Sequence, residues 1–204
     1  VTEKFTTIGI WGPNARENLQ KVVENPDELN IDAFPFAAIR QIQIAGKTVT
    51  AFRISYVGEQ GWELHMHYED GLAVWDALRG IGVMAVGVET YANSRRLEKS
   101  LRLQNADLHT QYNLLEAALA RPKVKEADFC GKAKHVEYRE REHQPAMLCT
   151  LIMTDNVDAQ GVARYPVGNL PVMEPETGET LIDELGRRSY TTSIAFGPSI
   201  GKNI

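Results

Sequence analysis

A glycine-framed acidic segment between two strand-like runs constrains this sequence more than any other feature. Residues 48–54 and 62–67 each alternate apolar and polar side chains, as half-buried strands do. Between these runs Gly58 and Gly61 flank Glu59, and glycine permits a positive φ or a close approach to a ligand. A carboxylate held on such a frame accepts two parallel hydrogen bonds from an amidine-like ligand edge. On spacing alone we favour the other reading, a hairpin with a solvated acid at its tip.

The bulk composition excludes several classes of protein. With 43% hydrophobic and 24% charged residues, the 204-residue chain has the make-up of a soluble globular protein with a sizeable core. A net charge of −5 and the lack of a basic run argue against a nucleic-acid partner. No apolar run approaches membrane-spanning length, so we expect no membrane partner.

The cysteines and the chain ends carry two further expectations. Cys130 and Cys149 form neither a disulfide framework nor a metal motif, which suits a reducing compartment and predicts a cytoplasmic protein. The chain opens with Val1 directly before a strand, with no signal peptide, and stops at Ile204 within a strand-like run. We therefore expect a fragment of a longer protein.

The first module, residues 1–104, predicts an α+β domain. Asn14 suits a helix N-cap after the first strand, Asp70 suits a second N-cap, and Gly80 suits a helix end. The expected strands cover 6–11, 36–44, 48–54 and 62–67, and the expected helices begin near 15, 71 and 90. This order fits an antiparallel sheet with helices on one face.

The rest of the chain predicts a connector and a second module. Residues 105–145 include a possible short helix at 112–120 and a charged, solvated run at 132–143. From 146 to 204 short strand-like runs alternate with turns, the clearest at 147–153 and 189–194. That spacing predicts a small C-terminal β-barrel domain.

Two charged groups offer weaker site hypotheses. His65 and His67 share one strand face with Glu63, at a spacing that metal ligands use. Because no further ligand cluster accompanies them, we favour an exposed strand face and predict no metal site. Arg95, Arg96 and Lys99 could form a patch that binds a polyanion. We favour the ordinary alternative, a solvated helix face.

Five motifs in order resemble the glycine cleavage T-protein (aminomethyltransferase) superfamily. The resemblance covers nearly the whole chain and is specific for the superfamily, though not for one member. The matching motifs are WGPNA at 11–15, RISYVGEQGWEL at 53–64, VWDAL at 74–78, RLEK at 96–99, and TS at 192–193 followed by PSIGKNI at 198–204.

The resemblance implies a tetrahydrofolate-dependent one-carbon transferase. It assigns Glu59 to the amino-pyrimidine edge of the pterin and makes Tyr56 and Trp62 candidates for the pocket wall. Arg96 becomes a candidate folate contact, with a structural ion pair involving Glu98 as the alternative. The implied partners are folate, a small amine-derived one-carbon donor, and either a lipoyl carrier protein or a fused flavin domain.

Departures from the family pattern keep other functions open. The arginine that contacts folate before the RLE motif is missing from residues 90–93, and Ser100 replaces a glycine. The family's catalytic aspartate lies in its first half, whereas this chain matches the second half, so the catalytic residue is unknown. We expect the fragment alone to be inactive. The alternatives are the folate-binding domain of a flavin-dependent dimethylglycine or sarcosine oxidoreductase, and a non-catalytic folate-binding regulatory module.

Overall fold

The computed structural model describes residues 3–204 and divides the chain into two compact units. Unit 1 is Val1–Tyr91 and unit 2 is Ala92–Ile204. The domain boundaries expected at residues 104 and 145 stay predictions.

Unit 1 is built on a four-stranded antiparallel sheet. The strands are β1 (Phe5–Trp11), β2 (Ile39–Ile44), β3 (Lys47–Phe52) and β4 (Gly61–His67), and they lie in the order β1-β4-β3-β2. Its helices are α1 (Ala15–Gln20) and α2 (Gly71–Gly80), with 3₁₀ turns at Pro26–Leu29 and Tyr68–Asp70. The expected α+β class with an antiparallel sheet is confirmed.

The hydrophobic core lies on one face of this sheet, together with the helices. In β4 the alternate residues Trp62, Leu64 and Met66 are buried, and Leu19 of α1 and Val74 of α2 belong to the same cluster. Strand alternation sends every second side chain to the same face, which explains why the pattern in the sequence located the core.

The predicted starts of helices α1 and α2 are confirmed, but the side chains of the N-cap residues make no capping hydrogen bond. Asn14 and Asp70 occupy the N-cap positions of α1 and α2, and neither side chain bonds a helical N–H. Asp70 instead pairs with Lys47, whose Nζ lies 2.7 Å from Oδ1, which ties the start of α2 to the start of β3. Helix α2 ends at Gly80, as predicted.

Unit 2 has little regular secondary structure among its residues. A π-helical turn at Thr90–Arg95 runs into α3 (Arg96–Glu98), and α4 (Lys132–Arg139) carries no buried side chain, as expected for a solvated helix. Strands β5 (Phe196–Gly197) and β6 (Lys202–Asn203) form a two-stranded sheet.

Three expectations for unit 2 are wrong. Residues 147–153 form no strand, residues 189–194 contribute only an isolated bridge at Tyr190, and residues 112–120 form turns instead of a helix. In the part of the chain that is described, unit 2 shows isolated bridges and no closed barrel. An apolar run becomes a strand only when a neighbouring segment pairs with its backbone, and that pairing is a tertiary property.

Candidate functional site

The sheet face turned away from the core carries aromatic and titratable side chains. The register places Thr7 opposite His65, Gly9 opposite Glu63 and Trp11 opposite Gly61, so these side chains share one face. Strand β3 adds Phe52, which is paired with Glu63. We call this surface the aromatic face.

Two glycines make room for Trp11 on this face. A Cβ added to Gly9 would lie 1.9 Å from the indole ring, and one added to Gly61 would lie 2.3 Å from indole Cδ1. Gly61 therefore accommodates the protein's own tryptophan, while Gly58 has a φ of 72°. Of the two sequence-level reasons for these glycines, positive φ applies at Gly58 and close approach applies at Gly61.

Trp11 begins an aromatic stack that includes Tyr91 and Tyr56. The Trp11 and Tyr91 rings are parallel within 18° at 4.8 Å, and Tyr56 lies 5.4 Å from Tyr91 at 55°. Burial raises the pKa of Tyr91, and the charges of Glu63 and Tyr56 raise it further. The indole Nε1 of Trp11 is buried with no hydrogen-bond partner among the described residues. The stack thus combines flat apolar rings with an unused donor and a nearby carboxylate.

His65 and His67 have different partners and do not converge. His65 Nδ1 lies 2.8 Å from Thr7 Oγ1, and its ring lies 4.5 Å from Phe52. His65 Nε2 is 3.5 Å from Glu63, an electrostatic contact without hydrogen-bond geometry. The ring of His67 stacks on Phe5 instead, at 4.9 Å. Residues 3–204 contain no group of three or more His, Cys, Asp or Glu that could hold a metal ion.

Glu59 lies in an irregular loop, residues 53–60, that joins β3 to β4. Strands β3 and β4 pair antiparallel on either side of this loop, so the expected strand–turn–strand hairpin is present, with a long irregular connection in place of a tight turn. Gln60 ties the loop to the β1–α1 connection, because its side chain donates to the Pro13 carbonyl and its carbonyl accepts from Gly12 N at 3.0 Å. Glu59 is partly buried on this anchored loop, and its assignment to the pterin stays a prediction.

Trp62 is part of the hydrophobic core. Its side chain is fully buried, and it meets Phe34 edge-on at 6.0 Å. The structure thus separates it from Tyr56, which is in the aromatic stack. Its role in the pocket wall stays a prediction.

Arg96, in unit 2, is fully buried, and its guanidinium is surrounded by acceptors. It donates to the carbonyls of Ala92 at 2.7 Å and Leu101 at 3.0 Å, to Ser193 Oγ at 2.5 Å, and to Asp107 Oδ2 at 2.5 Å. These contacts join the 92–107 segment to residue 193. The expectation that Arg96 lies on a solvated helix face is wrong, because its side chain is fully buried among these acceptors. Its predicted contact with folate stays a prediction.

The Arg96 partner Asp107 is held as a carboxylate. Burial by itself would raise its pKa, but hydrogen bonds from Thr192, the Leu103 N–H and Ser193, with the charge of Arg96, outweigh burial and lower that pKa. The expected partner Glu98 makes a different pair, with Arg95 at 3.0 Å, and accepts from Ser199 N at 2.6 Å.

Comparison with known protein families assigns the chain to a family. The family model described as the GCVT N-terminal domain matches residues 1–124. The chain belongs to the GCVT N-terminal domain family. The resemblance to the glycine cleavage T-protein superfamily is confirmed at that level.

Relatives of this GCVT N-terminal domain chain include two mitochondrial dehydrogenases and an aminomethyltransferase. Mitochondrial dimethylglycine dehydrogenase of Homo sapiens is 35% identical over 167 residues, which cover 79% of the chain and 19% of that protein. Mitochondrial sarcosine dehydrogenase of Mus musculus is 36% identical over 123 residues, 58% of the chain and 13% of that protein. An aminomethyltransferase of Exiguobacterium sibiricum is 30% identical over 207 aligned residues, covering 100% of the chain and 51% of that protein. The chain thus spans about half the length of the aminomethyltransferases and about a fifth of the dimethylglycine dehydrogenases.

Sequence reasoning missed Trp11, Tyr91 and Glu63 as members of one surface of this GCVT N-terminal domain. In the sequence, Trp11 was considered only as part of the WGPNA motif, and Tyr91 was considered only as one of the residues 90–93 that lack the family's arginine. The sequence did contain a signal for this surface. Gly9 and Gly61 lie on the strands β1 and β4, and the pairing of these strands brings both glycines beside the Trp11 ring. No helix among residues 3–204 has the length and apolarity needed to cross a membrane.

Proposed function

We propose that the complete protein is a tetrahydrofolate-dependent aminomethyl or one-carbon transferase of the glycine cleavage T-protein type. In this proposal the chain is the second half of that protein and includes its C-terminal barrel domain. The observation that carries the proposal is the family match over residues 1–124, which includes the whole aromatic face. The proposed compartment is the cytoplasm, although two kinds of relatives are named as mitochondrial.

The aromatic face fits a reduced pterin in shape and polarity. The parallel rings of Trp11 and Tyr91 offer a flat surface, and stacking on such rings favours a planar heteroaromatic ligand. The pyrimidine edge of a pterin is rich in N–H donors, so it needs a carboxylate acceptor, while its carbonyl needs a donor. Buried Trp11 Nε1–H is an unused donor of that kind.

Two glutamates are candidates for the pterin acceptor. Glu59 is the residue that the family motif assigns, on the anchored loop between β3 and β4. Glu63 is the residue that the sheet supports, because it shares the aromatic face and its charge reaches Tyr91. The two are separable by mutation.

The proposed chemistry depends on positioning. Transfer requires a folate nitrogen beside a cationic one-carbon electrophile, so the protein accelerates the step by holding both in place. A carboxylate near the developing cation would stabilise it further. Glu59 and Glu63 serve pterin recognition here, and the residue that supplies the catalytic charge remains unassigned. A small amine-derived donor, delivered by a lipoyl carrier protein or formed at a fused flavin domain, completes the reaction.

A second candidate function is the folate domain of a flavin-dependent dimethylglycine or sarcosine oxidoreductase. The specific observations in its favour are the 35% identity to dimethylglycine dehydrogenase and the lack of an arginine at residues 90–93. A third, a non-catalytic folate-binding regulatory module, differs from both by binding folate without turnover.

The deciding experiment is a visible absorption spectrum of the complete gene product together with its intact mass. Flavin bands and a mass several times that of the 22.8 kDa chain support the oxidoreductase. A colourless protein of about twice that mass, which consumes tetrahydrofolate with an aminomethyl donor, supports the transferase. A colourless protein that binds tetrahydrofolate without turnover contradicts both enzymes and leaves the module.

A further inference from the structure

Two arginines of unit 1 lie against one buried tryptophan. The guanidinium carbon of Arg16, in α1, is 5.2 Å from the centre of the Trp62 ring, and that of Arg53, after β3, is 5.8 Å from the same ring. A third guanidinium, of Arg40, lies 5.8 Å from Phe34, the edge-on neighbour of Trp62. We call Arg16, Arg40 and Arg53 the arginine cluster.

The positive charge of this cluster is not neutralised within the described chain. None of the ion pairs in residues 3–204 involves Arg16, Arg40 or Arg53. Arg53 uses one N–H for the Phe34 carbonyl at 2.5 Å. Both terminal nitrogens of Arg16 are removed from solvent, and neither has a hydrogen-bond partner in the described residues.

Cation–π packing alone does not account for this arrangement. Contact with a tryptophan face stabilises a guanidinium, but the in-plane N–H donors still need acceptors. Buried donors without acceptors cost free energy, and two like charges near one another add to that cost. Burial lowers the pKa of Arg16, and the charge of Arg53 lowers it further. An oxyanion bound at these guanidiniums would supply the missing acceptors and offset the repulsion between the like charges.

We propose that the arginine cluster of unit 1 binds a small oxyanion, with Arg16 and Arg53 as its ligands. The ligand class is a carboxylate or phosphate group, because the planar guanidinium fork matches two oxygens of either group. Arg16 as a whole remains partly exposed, although both of its terminal nitrogens are buried. The site is on the core side of the sheet, opposite the aromatic face, and does not rest on the folate reaction.

The test compares thermal unfolding and hydrogen exchange of the complete protein in sodium acetate, sodium phosphate and sodium chloride at matched ionic strength. We expect acetate or phosphate to raise the unfolding temperature above its value in chloride and to slow exchange in peptides covering residues 13–20 and 53–62. The anion with the larger effect identifies the ligand group. Equal behaviour in the three salts overturns the proposal.

Variants assign the effect to the cluster. Arg16→Met keeps side-chain length without the charge, so it should weaken the oxyanion effect by about tenfold or more in apparent affinity while stability in chloride is kept or raised. Arg53→Lys retains the charge but loses the planar guanidinium that contacts two oxygens. This variant tests whether the cluster binds the oxyanion if Arg16→Met does not fold. The matched control is Arg79→Met, on the exposed surface of α2, which should respond like the unmodified protein. An undiminished oxyanion effect in the Arg16 or Arg53 variant contradicts the proposal.

Discussion

At the scale of single residues, the two glutamates near the β3–β4 connection have different surroundings. Glu59 lies on a loop outside the sheet, whereas Glu63 is fixed by strand β4 within hydrogen-bonded pairing to β1. A strand holds a side chain more rigidly than a loop does, and rigid placement favours recognition of a flat ligand edge.

We expect Glu63→Gln in the complete protein to weaken tetrahydrofolate binding by about 1–3 kcal/mol, because a charge-assisted pair becomes a neutral one. Glu59→Gln should show a loss of the same size if the motif assignment holds. Titration calorimetry measures both. Glu17→Gln, an exposed acid of α1, is the control and should bind normally. Unchanged affinity in either variant removes that residue from the pterin site.

The buried Arg96–Asp107 pair gives a second prediction at this scale. Asp107→Asn removes the charge that faces a fully buried guanidinium, so unit 2 should lose about 3–5 kcal/mol of unfolding free energy. Denaturant unfolding of the complete protein, followed by hydrogen exchange in residues 92–107 and 190–195, measures the loss. The control Glu137→Gln breaks an exposed pair with Lys134 and should leave these segments unchanged. Normal exchange in the Asp107 variant would show that the network does not hold the segments together.

At the scale of elements, the close approach of β1 and β4 depends on glycine. The pairing of Trp11 with Gly61 lets an indole lie flat on the sheet, and this element-level fit builds the aromatic face.

Gly61→Ala should therefore destabilise unit 1 by about 1–3 kcal/mol and displace Trp11, because the new Cβ would lie 2.4 Å from the Ile10 carbonyl oxygen. Thermal unfolding and the near-ultraviolet circular dichroism of the tryptophans report the two effects. The control is Gly80→Ala at the end of α2, where a Cβ meets nothing within 4 Å. If Gly61→Ala leaves both signals as they were, the packing of Trp11 on Gly61 is not required.

At the scale of the whole molecule, the two units differ in how they use charge. Three largely buried carboxylates of unit 2 have a lowered pKa. Burial opposes this shift in Asp107, Glu116 and Asp183, but their hydrogen bonds and nearby arginines outweigh it. In Glu116 the main favourable partner is Arg187, 2.5 Å away. The pKa shifts resolved in unit 1 belong to Arg16, Lys47 and Tyr91, none of which is an acid that titrates below pH 5.

We expect acid to loosen unit 2 before unit 1. A carboxylate whose pKa is lower in the folded state stabilises the fold above its unfolded pKa of about 4, and that stability is lost as the pH falls through the folded value. Hydrogen exchange of the complete protein between about pH 5 and pH 2.5, after correction for the intrinsic rate, should show protection lost first in residues 92–204. Tryptophan fluorescence supplies the control, since Trp11, Trp62 and Trp75 all lie in unit 1. Simultaneous loss in both units contradicts the prediction.

The complete protein should bind tetrahydrofolate more tightly than the 204-residue chain does. The chain spans about half of the aminomethyltransferases, and a pocket built from both halves loses contacts when one half is missing. Calorimetry on both proteins measures the difference, and circular dichroism checks that the chain is folded. Equal affinity would place the entire folate site within residues 1–204.

The sequence by itself determined the sheet of unit 1, its core face and the family. Alternation in residues 48–54 and 62–67 is a local property, since successive strand side chains point to opposite faces, and the motifs are likewise local strings. Only the tertiary structure decided which residues meet. Trp11 stacks on Tyr91 of the Thr90–Arg95 turn, Arg96 donates to Asp107 and Ser193, and residues 147–153 form no strand. The physical reason is that backbone pairing and buried charge pairs join residues far apart in sequence, so no local pattern specifies them.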